Sequence, residues 1–189
     1  MRGNPVIRDN SPHSHRPARG TMDEQLEDAP PQSDPTEFNL ERFTACARDA
    51  LSSAEYAARR LGDPFVGTDH LLVGLAMSET GAAFKVMEPF NVTPRQLEQS
   101  MKFIRGDRSE TPQNGNQGGY SPRLVRVLAR ATKEATYRGD AEVGTIHVLL
   151  GILRERQGLS VFLLEAAGLG PKRIEQIIDR AQSVGWTDD

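Results

Sequence analysis

Val66-Gly67-Thr68-Asp69-His70-Leu71-Leu72-Val73-Gly74-Leu75 returns as Val143-Gly144-Thr145-Ile146-His147-Val148-Leu149-Leu150-Gly151-Ile152. Carried outward without a gap, the shift that takes position 66 to 143 also pairs Leu51 with Leu128, Ala54 with Ala131 and Ala58 with Ala135. It pairs Gly62 with Gly139, Gly81 with Gly158, Pro94 with Pro171 and Leu97 with Ile174. Self-similarity at a fixed period marks one structural unit written twice.

Each unit reads as four helices. In the first, Ala47, Ala50, Leu51, Ala54, Ala58 and Leu61 recur at three- and four-residue steps, the spacing of a helix with one buried face. Because that face is mostly alanine, a partner helix can approach closely. Arg59 and Arg60 suit the negative end of the helix dipole, and Gly62 is placed to stop it. After the connector, Thr68 is in position to cap a second helix carried by Leu71, Leu72, Leu75 and Ala76, with Asp69 as a dipole-compensating surface acid. Gly81 breaks that helix, Ala83, Phe84 and Met87 suggest a short third, and Thr93-Pro94 opens a fourth on Leu97, Met101 and Ile104.

The second unit begins at Tyr120-Ser121-Pro122 and repeats the plan. Leu124, Val127, Leu128, Ala131 and Ala135 carry its first helix, Val148, Leu149, Ile152 and Leu153 its second. Val161, Leu163 and Leu164 belong to the third, and Ile174, Ile177 and Ile178 to the fourth, behind Pro171. The expected fold is all-α: two pseudo-symmetric four-helix repeats, each too small to bury much alone, packed into one globule. The expected boundaries are a disordered, charge-split tail at 1–37, repeats at 38–105 and 120–182, a flexible tether at 106–119 without an apolar residue, and a tail at 183–189.

Composition narrows the function classes. The 189 residues are 37% hydrophobic and only 6% aromatic, in keeping with a small helical core. No apolar run approaches the roughly 20 residues of a spanning helix, and the N-terminus lacks the apolar centre of a signal peptide. A single cysteine, Cys46, makes no internal disulfide and fits a reducing, cytoplasmic compartment. The formal charge of -3 argues against a general nucleic-acid binder. Neither nucleic acid nor membrane is expected as a partner; other proteins are.

Leu40-Glu41-Arg42-Phe43-Thr44, the Arg60-Leu61-Gly62 turn, Tyr120-Ser121-Pro122-Arg123 and the two Val-Gly-Thr-x-His blocks together resemble the N-terminal double repeat of Clp-type unfoldases, over about Phe38 to Gln182. In that family the repeat pair is an all-α domain on top of an ATPase ring, where it receives adaptors and substrate proteins. The chain contains no Gly-x-x-x-x-Gly-Lys-Ser/Thr phosphate loop. With only residues 183–189 beyond the second repeat, it is expected to lack the motor modules. The resemblance therefore implies a stand-alone, non-catalytic accessory protein that needs no cofactor. Its implied partners are Clp ATPase or protease subunits, adaptors and substrate proteins. The alternative is a free-standing receptor or decoy for phosphoarginine-marked proteins or cyclic peptide antibiotics.

Some family members bind phosphorylated arginine, a glutamate between the Thr and His of the motif taking the guanidinium. The matching residues here are Asp69, which retains a carboxylate, and Ile146, which cannot accept. Thr68, Asp69 and Thr145 are accordingly the ligand-binding candidates, beside the plainer reading in which the threonines are helix caps. Phe38, Leu40 and Phe43 are the peptide-docking candidates, beside the plainer reading of an aromatic staple at the chain entry. His70 and His147 lie beside apolar faces without further ligands at metal spacing, so core histidines are expected and no metal site. Cys46 has no activating neighbour in the sequence, and no catalytic constellation can be assembled.

Overall fold

Three of the helices begin where the sequence places a hydroxyl before a proline or an alanine. The computed structural model describes residues 38–106 and 119–182; the expected tails at 1–37 and 183–189 and the interior of the tether lie outside the described residues. In the first repeat, α1 spans Ala45–Arg60, α2 Thr68–Met77, α3 Ala82–Met87 and α4 Pro94–Arg105. In the second, α5 spans Pro122–Arg138, α6 Thr145–Glu155, α7 Leu159–Ala166 and α8 Pro171–Gln182. The hydroxyls of Thr44, Thr93 and Ser121 accept from the amides of Ala47, Gln96 and Leu124 at 3.2, 3.3 and 3.2 Å, each satisfying a free donor of a first turn. Gly139 ends α5 in the left-handed conformation, at φ 80°.

The alanine face works as its composition suggests. Ala47, Ala50, Ala54, Ala57 and Ala58 are buried in α1, and α2 lies so close across them that Gly74 has no room for a side chain. A Cβ there would stand 2.0 Å from the carbonyl oxygen of Ala50. Gly151 of α6 has the equivalent relation to α5, with the carbonyl oxygen of Val127 at 2.6 Å. Between these two tight pairs runs one continuous core, with Phe43, Leu71, Leu72, Leu75, Leu124, Leu128, Leu149 and Ile152 fully enclosed. The four-helix repeats thus pack as one globule, as expected.

Two details depart from the sequence reading. In α4, Leu97 and Met101 are buried but Ile104 is 51% exposed, because the last turn runs past the edge of the core. The chain also contains short parallel pairings that no hydrophobic alternation announces. The two-residue strand β1, Phe65–Val66, pairs with β2, Gly119–Tyr120, setting Val66 opposite Tyr120, and Phe43 is bridged in the same sense to Val143. The amide of Thr44 donates to the carbonyl of Val143 at 3.1 Å, and that of Ser121 to the carbonyl of Val66 at 2.9 Å. These bonds are equivalents under the repeat shift. The entrance of each repeat is therefore stitched to the connector of the other, and the pseudo-twofold is written in backbone hydrogen bonds.

Candidate functional site at the junction of the repeats

The repeated Gly-Thr-x-His block opens α2 and α6, and its polar atoms have fixed partners. Gly67 and Gly144 occupy the N-cap positions, not the threonines. The cap is closed by histidine: Nδ1 of His70 accepts from the Gly67 amide at 2.9 Å, and Nδ1 of His147 from the Gly144 amide at 3.0 Å. With Nδ1 accepting, Nε2 carries the hydrogen and donates to a carboxylate, Asp63 at 2.9 Å and Asp140 at 3.0 Å. Both histidines are buried, at 1% and 4% exposure, as the core reading expects. Each spends its ring holding a helix start to the connector before it.

Displaced one position into the helix, the threonines serve the opposite repeat. Oγ1 of Thr145 accepts from the amide of Ala83 at 3.0 Å in a fully buried bond. That amide belongs to the first turn of α3, whose N-cap, Gly81, has no side chain to offer. Oγ1 of Thr68 accepts from the hydroxyl of Ser160, in the first turn of α7, at 3.1 Å. The cap reading of these threonines is corrected accordingly: they secure helix starts across the pseudo-twofold.

Asp69 is not a surface acid. It is 4% exposed, and its carboxylate is ion-paired with the guanidinium of Arg105, which also lies 3.2 Å from Asp63. Arg105, at the end of α4, thereby bridges the acid that orients His70 and the acid beside it in the block. A buried carboxylate with a guanidinium across it is a low-dielectric pair in which each charge relieves the other's desolvation. In the second repeat Ile146 packs at the edge of the hydrophobic core instead. Among the described residues the arrangement is thus one-sided.

The entry residues divide. Phe43 is wholly buried, Leu40 is exposed, and Phe38 lies between, its ring edge-on to Phe43 at 6.3 Å and tilted against Tyr120 at 6.5 Å. The exposed surface there consists of Leu40 and the outer faces of Phe38 and Tyr120. The Tyr120 hydroxyl donates to Glu55 at 3.0 Å, and burial together with that acceptor raises its pKa to about 12. Cys46 is half-buried, with Thr80 Oγ1 3.4 Å from its sulfur. Among the described residues no group of three or more His, Cys, Asp or Glu side chains is placed to hold a metal, and no helix is long and apolar enough to cross a membrane.

Sequence reasoning passed over Asp63, Asp140, Arg105 and Ser160. The two aspartates carried a signal, since the repeat shift pairs them as it pairs the histidines. Arg105 and Ser160 carried none, because they reach the junction through tertiary structure.

Against known proteins, residues 42–167 match the family described as the Clp repeat (R) N-terminal domain. The chain is 35% identical over 146 residues to the chaperone protein ClpC1, chloroplastic, of Oryza sativa subsp. japonica, covering 75% of this chain and 15% of that protein. It is 31% identical over 135 residues to the negative regulator of genetic competence ClpC/MecB of Bacillus subtilis, covering 71% and 16%. The chain thus spans about a sixth of the length of the curated relatives it matches. Among solved structures it resembles the N-domain of ClpV from Vibrio cholerae, with a TM-score of 0.62 and 19% identity over 80% of this chain and 93% of that one. It also resembles the ClpV N-domain in a complex with a VipB peptide, with a TM-score of 0.57 and 19% identity over 75% and 90%.

Proposed function

Because the chain belongs to the Clp repeat N-terminal domain family, we propose that it is a non-catalytic docking module, an accessory factor in Clp-dependent protein quality control and proteolysis. One observation carries this reading: the threonines and histidines of the repeated block are committed to structural partners, Thr145 to Ala83 and Thr68 to Ser160 across the two repeats, and His70 to Asp63 and His147 to Asp140 within them. A scaffold whose polar groups are spent on rigidity presents surfaces, not a reacting atom. That a ClpV N-domain has been solved with a VipB peptide supports peptide docking as the mode. The proposed partners are Clp ATPase or protease subunits, adaptors and substrate proteins, and the proposed compartment is the cytoplasm. The proposed peptide surface is the chain entry, Leu40 with Phe38 and its contact Tyr120, over a buried Phe43. The test is affinity capture from a lysate of the native host with the full chain as bait. The expected result is enrichment of Clp ATPase or protease subunits, and recovery of clients without any Clp subunit contradicts it.

A second reading has one specific observation in its favour. Asp69 already holds a guanidinium, that of Arg105, so the block has the chemistry of a guanidinium acceptor. In this reading the chain sequesters phosphoarginine-marked proteins, whose guanidinium displaces Arg105 at Asp69. Titration with a phosphoarginine peptide tests it, with saturable binding lost in Asp69→Ala as the expected outcome.

A further inference from the structure

Outside that junction, the outer face of α5 carries Arg123, Arg126 and Arg130, and all three converge on one carboxylate from the end of α6. Glu155 is nearly buried, with 7% of its side chain exposed. Its Oε1 receives Arg126 Nη2 at 2.8 Å and faces Arg123 Nε at 3.8 Å, while Oε2 faces Arg130 Nη2 at 3.4 Å. The arginines themselves keep 39–43% of their side chains in solvent. Three fixed positive charges against one negative leave an excess of two. Positive charge in the first turn of a helix is also disfavoured by the dipole, yet Arg123 stands in the first turn of α5, which has no acid there.

The fold does not require this cluster. Under the repeat shift, Arg123, Arg126, Arg130 and Glu155 correspond to Cys46, Asp49, Ser53 and Ser78, and the first repeat builds the same close helix pair with them. Stability alone thus gives no reason for three arginines on one helix face. The anchoring by Glu155 does, because it orders flexible cationic side chains in advance and lowers the entropy cost of a contact. The row runs over eight residues, Arg123 to Arg130, and so covers roughly 10 Å along the helix. That is room enough for two carboxylates on one face of an extended peptide, where alternate side chains recur about every 6.8 Å.

We propose that Arg123, Arg126 and Arg130, pre-oriented by Glu155, form a docking surface for an acidic peptide segment of a partner protein. The inference rests on the docking-module reading and names the chemistry of one partner. Charge complementarity selects the occupant. An excess of two positive charges confined to a row of roughly 10 Å suits a short acidic segment, whereas a long polyanion calls for a longer basic track.

The test uses the full chain and a fluorescein-labelled peptide of alternating glutamate and serine with four glutamates, read by anisotropy at low and high salt. The comparison variant carries the residues of the first repeat, Arg126→Asp, Arg130→Ser and Glu155→Ser together, a set already compatible with this helix pair. Its circular dichroism and melting temperature confirm folding. Saturable binding that weakens with salt and drops at least about tenfold in the variant is expected. Equal binding by parent and folded variant overturns the proposal, as does equal affinity for a pentathymidylate of matching charge. Binding of the peptide by a chain that captures no Clp subunit from lysate sustains the surface and removes the Clp assignment; the converse result removes the surface alone.

Discussion

Gly74→Ala and Gly151→Ala each add one methyl group to the middle of a helix, where alanine is intrinsically favoured over glycine by about 1 kcal/mol. On propensity alone both variants are stabilised. The packing reverses the sign, because the built Cβ at position 74 lies 2.0 Å from the carbonyl oxygen of Ala50 and 3.0 Å from the amide nitrogen of Ala54. Both obstacles are backbone, so no side chain can swing away. Separations under 3.0 Å are essentially never seen for Cβ, and α1 has to retreat by about 1 Å to restore that distance. A retreat of that size opens the alanine seam along α1 and α2. At Gly151 the nearest atom is the Val127 carbonyl oxygen at 2.6 Å, so the displacement needed is less than half as large. Overpacking of a tight core costs about 1–3 kcal/mol; with the clash at Gly74 in the upper part of that range, about 2–3 kcal/mol, we expect Gly74→Ala to lose about 1–2 kcal/mol net of the propensity gain and Gly151→Ala less. Urea unfolding followed by circular dichroism at 222 nm reads the difference, with a melting-temperature drop of roughly 2–4 °C per kcal/mol. Either variant proving more stable than the parent refutes the close-packed helix pairs.

Thr145→Val removes the hydroxyl that accepts from the buried Ala83 amide and is expected to cost about 1–3 kcal/mol, measured by the same unfolding assay; a neutral result would show that α3 is not capped across the repeats. Tyr120 should ionise late, near pH 12, seen as a phase in the tyrosinate absorbance that Tyr120→Phe lacks. Since its pKa is raised in the folded state, its contribution to stability is complete below about pH 10 and is lost as pH rises towards 12, so the parent should lose stability over that window faster than Tyr120→Phe. If the guanidinium reading holds, Asp69→Ala abolishes phosphoarginine binding, Ile146→Ala leaves it unchanged, and Arg105→Ala tightens it by removing the resident competitor. Equal titrations for all three variants and the parent would end that assignment.

Much of the fold was legible because the repeat shift is a global signal carried by local residues. Gly74 and Gly151, the two histidines and the two proline-led helix starts recur in phase, and each fixes a local geometry that the structure keeps. What escaped was the traffic between the copies. The bonds from Thr145 to Ala83 and from Ser121 to Val66 join residues far apart in sequence, and hydrophobic periodicity reports only which face of a helix is covered, not by whom. Asp69 was misplaced for the same reason: its first-turn position reads as a surface acid, and only the path of α4 brings Arg105 over it. Ile104 shows the opposite error. Its spacing from Leu97 and Met101 is that of a buried stripe, but the helix outruns the core before the stripe ends.

The docking role is tested most directly by capture from a lysate of the native host with the full chain as bait, quantified by mass spectrometry against the matrix without bait. Enrichment of Clp ATPase or protease subunits on the bait over the bare matrix is the predicted result. Recovery of no Clp subunit on the folded parent, whatever clients accompany it, would contradict the accessory role.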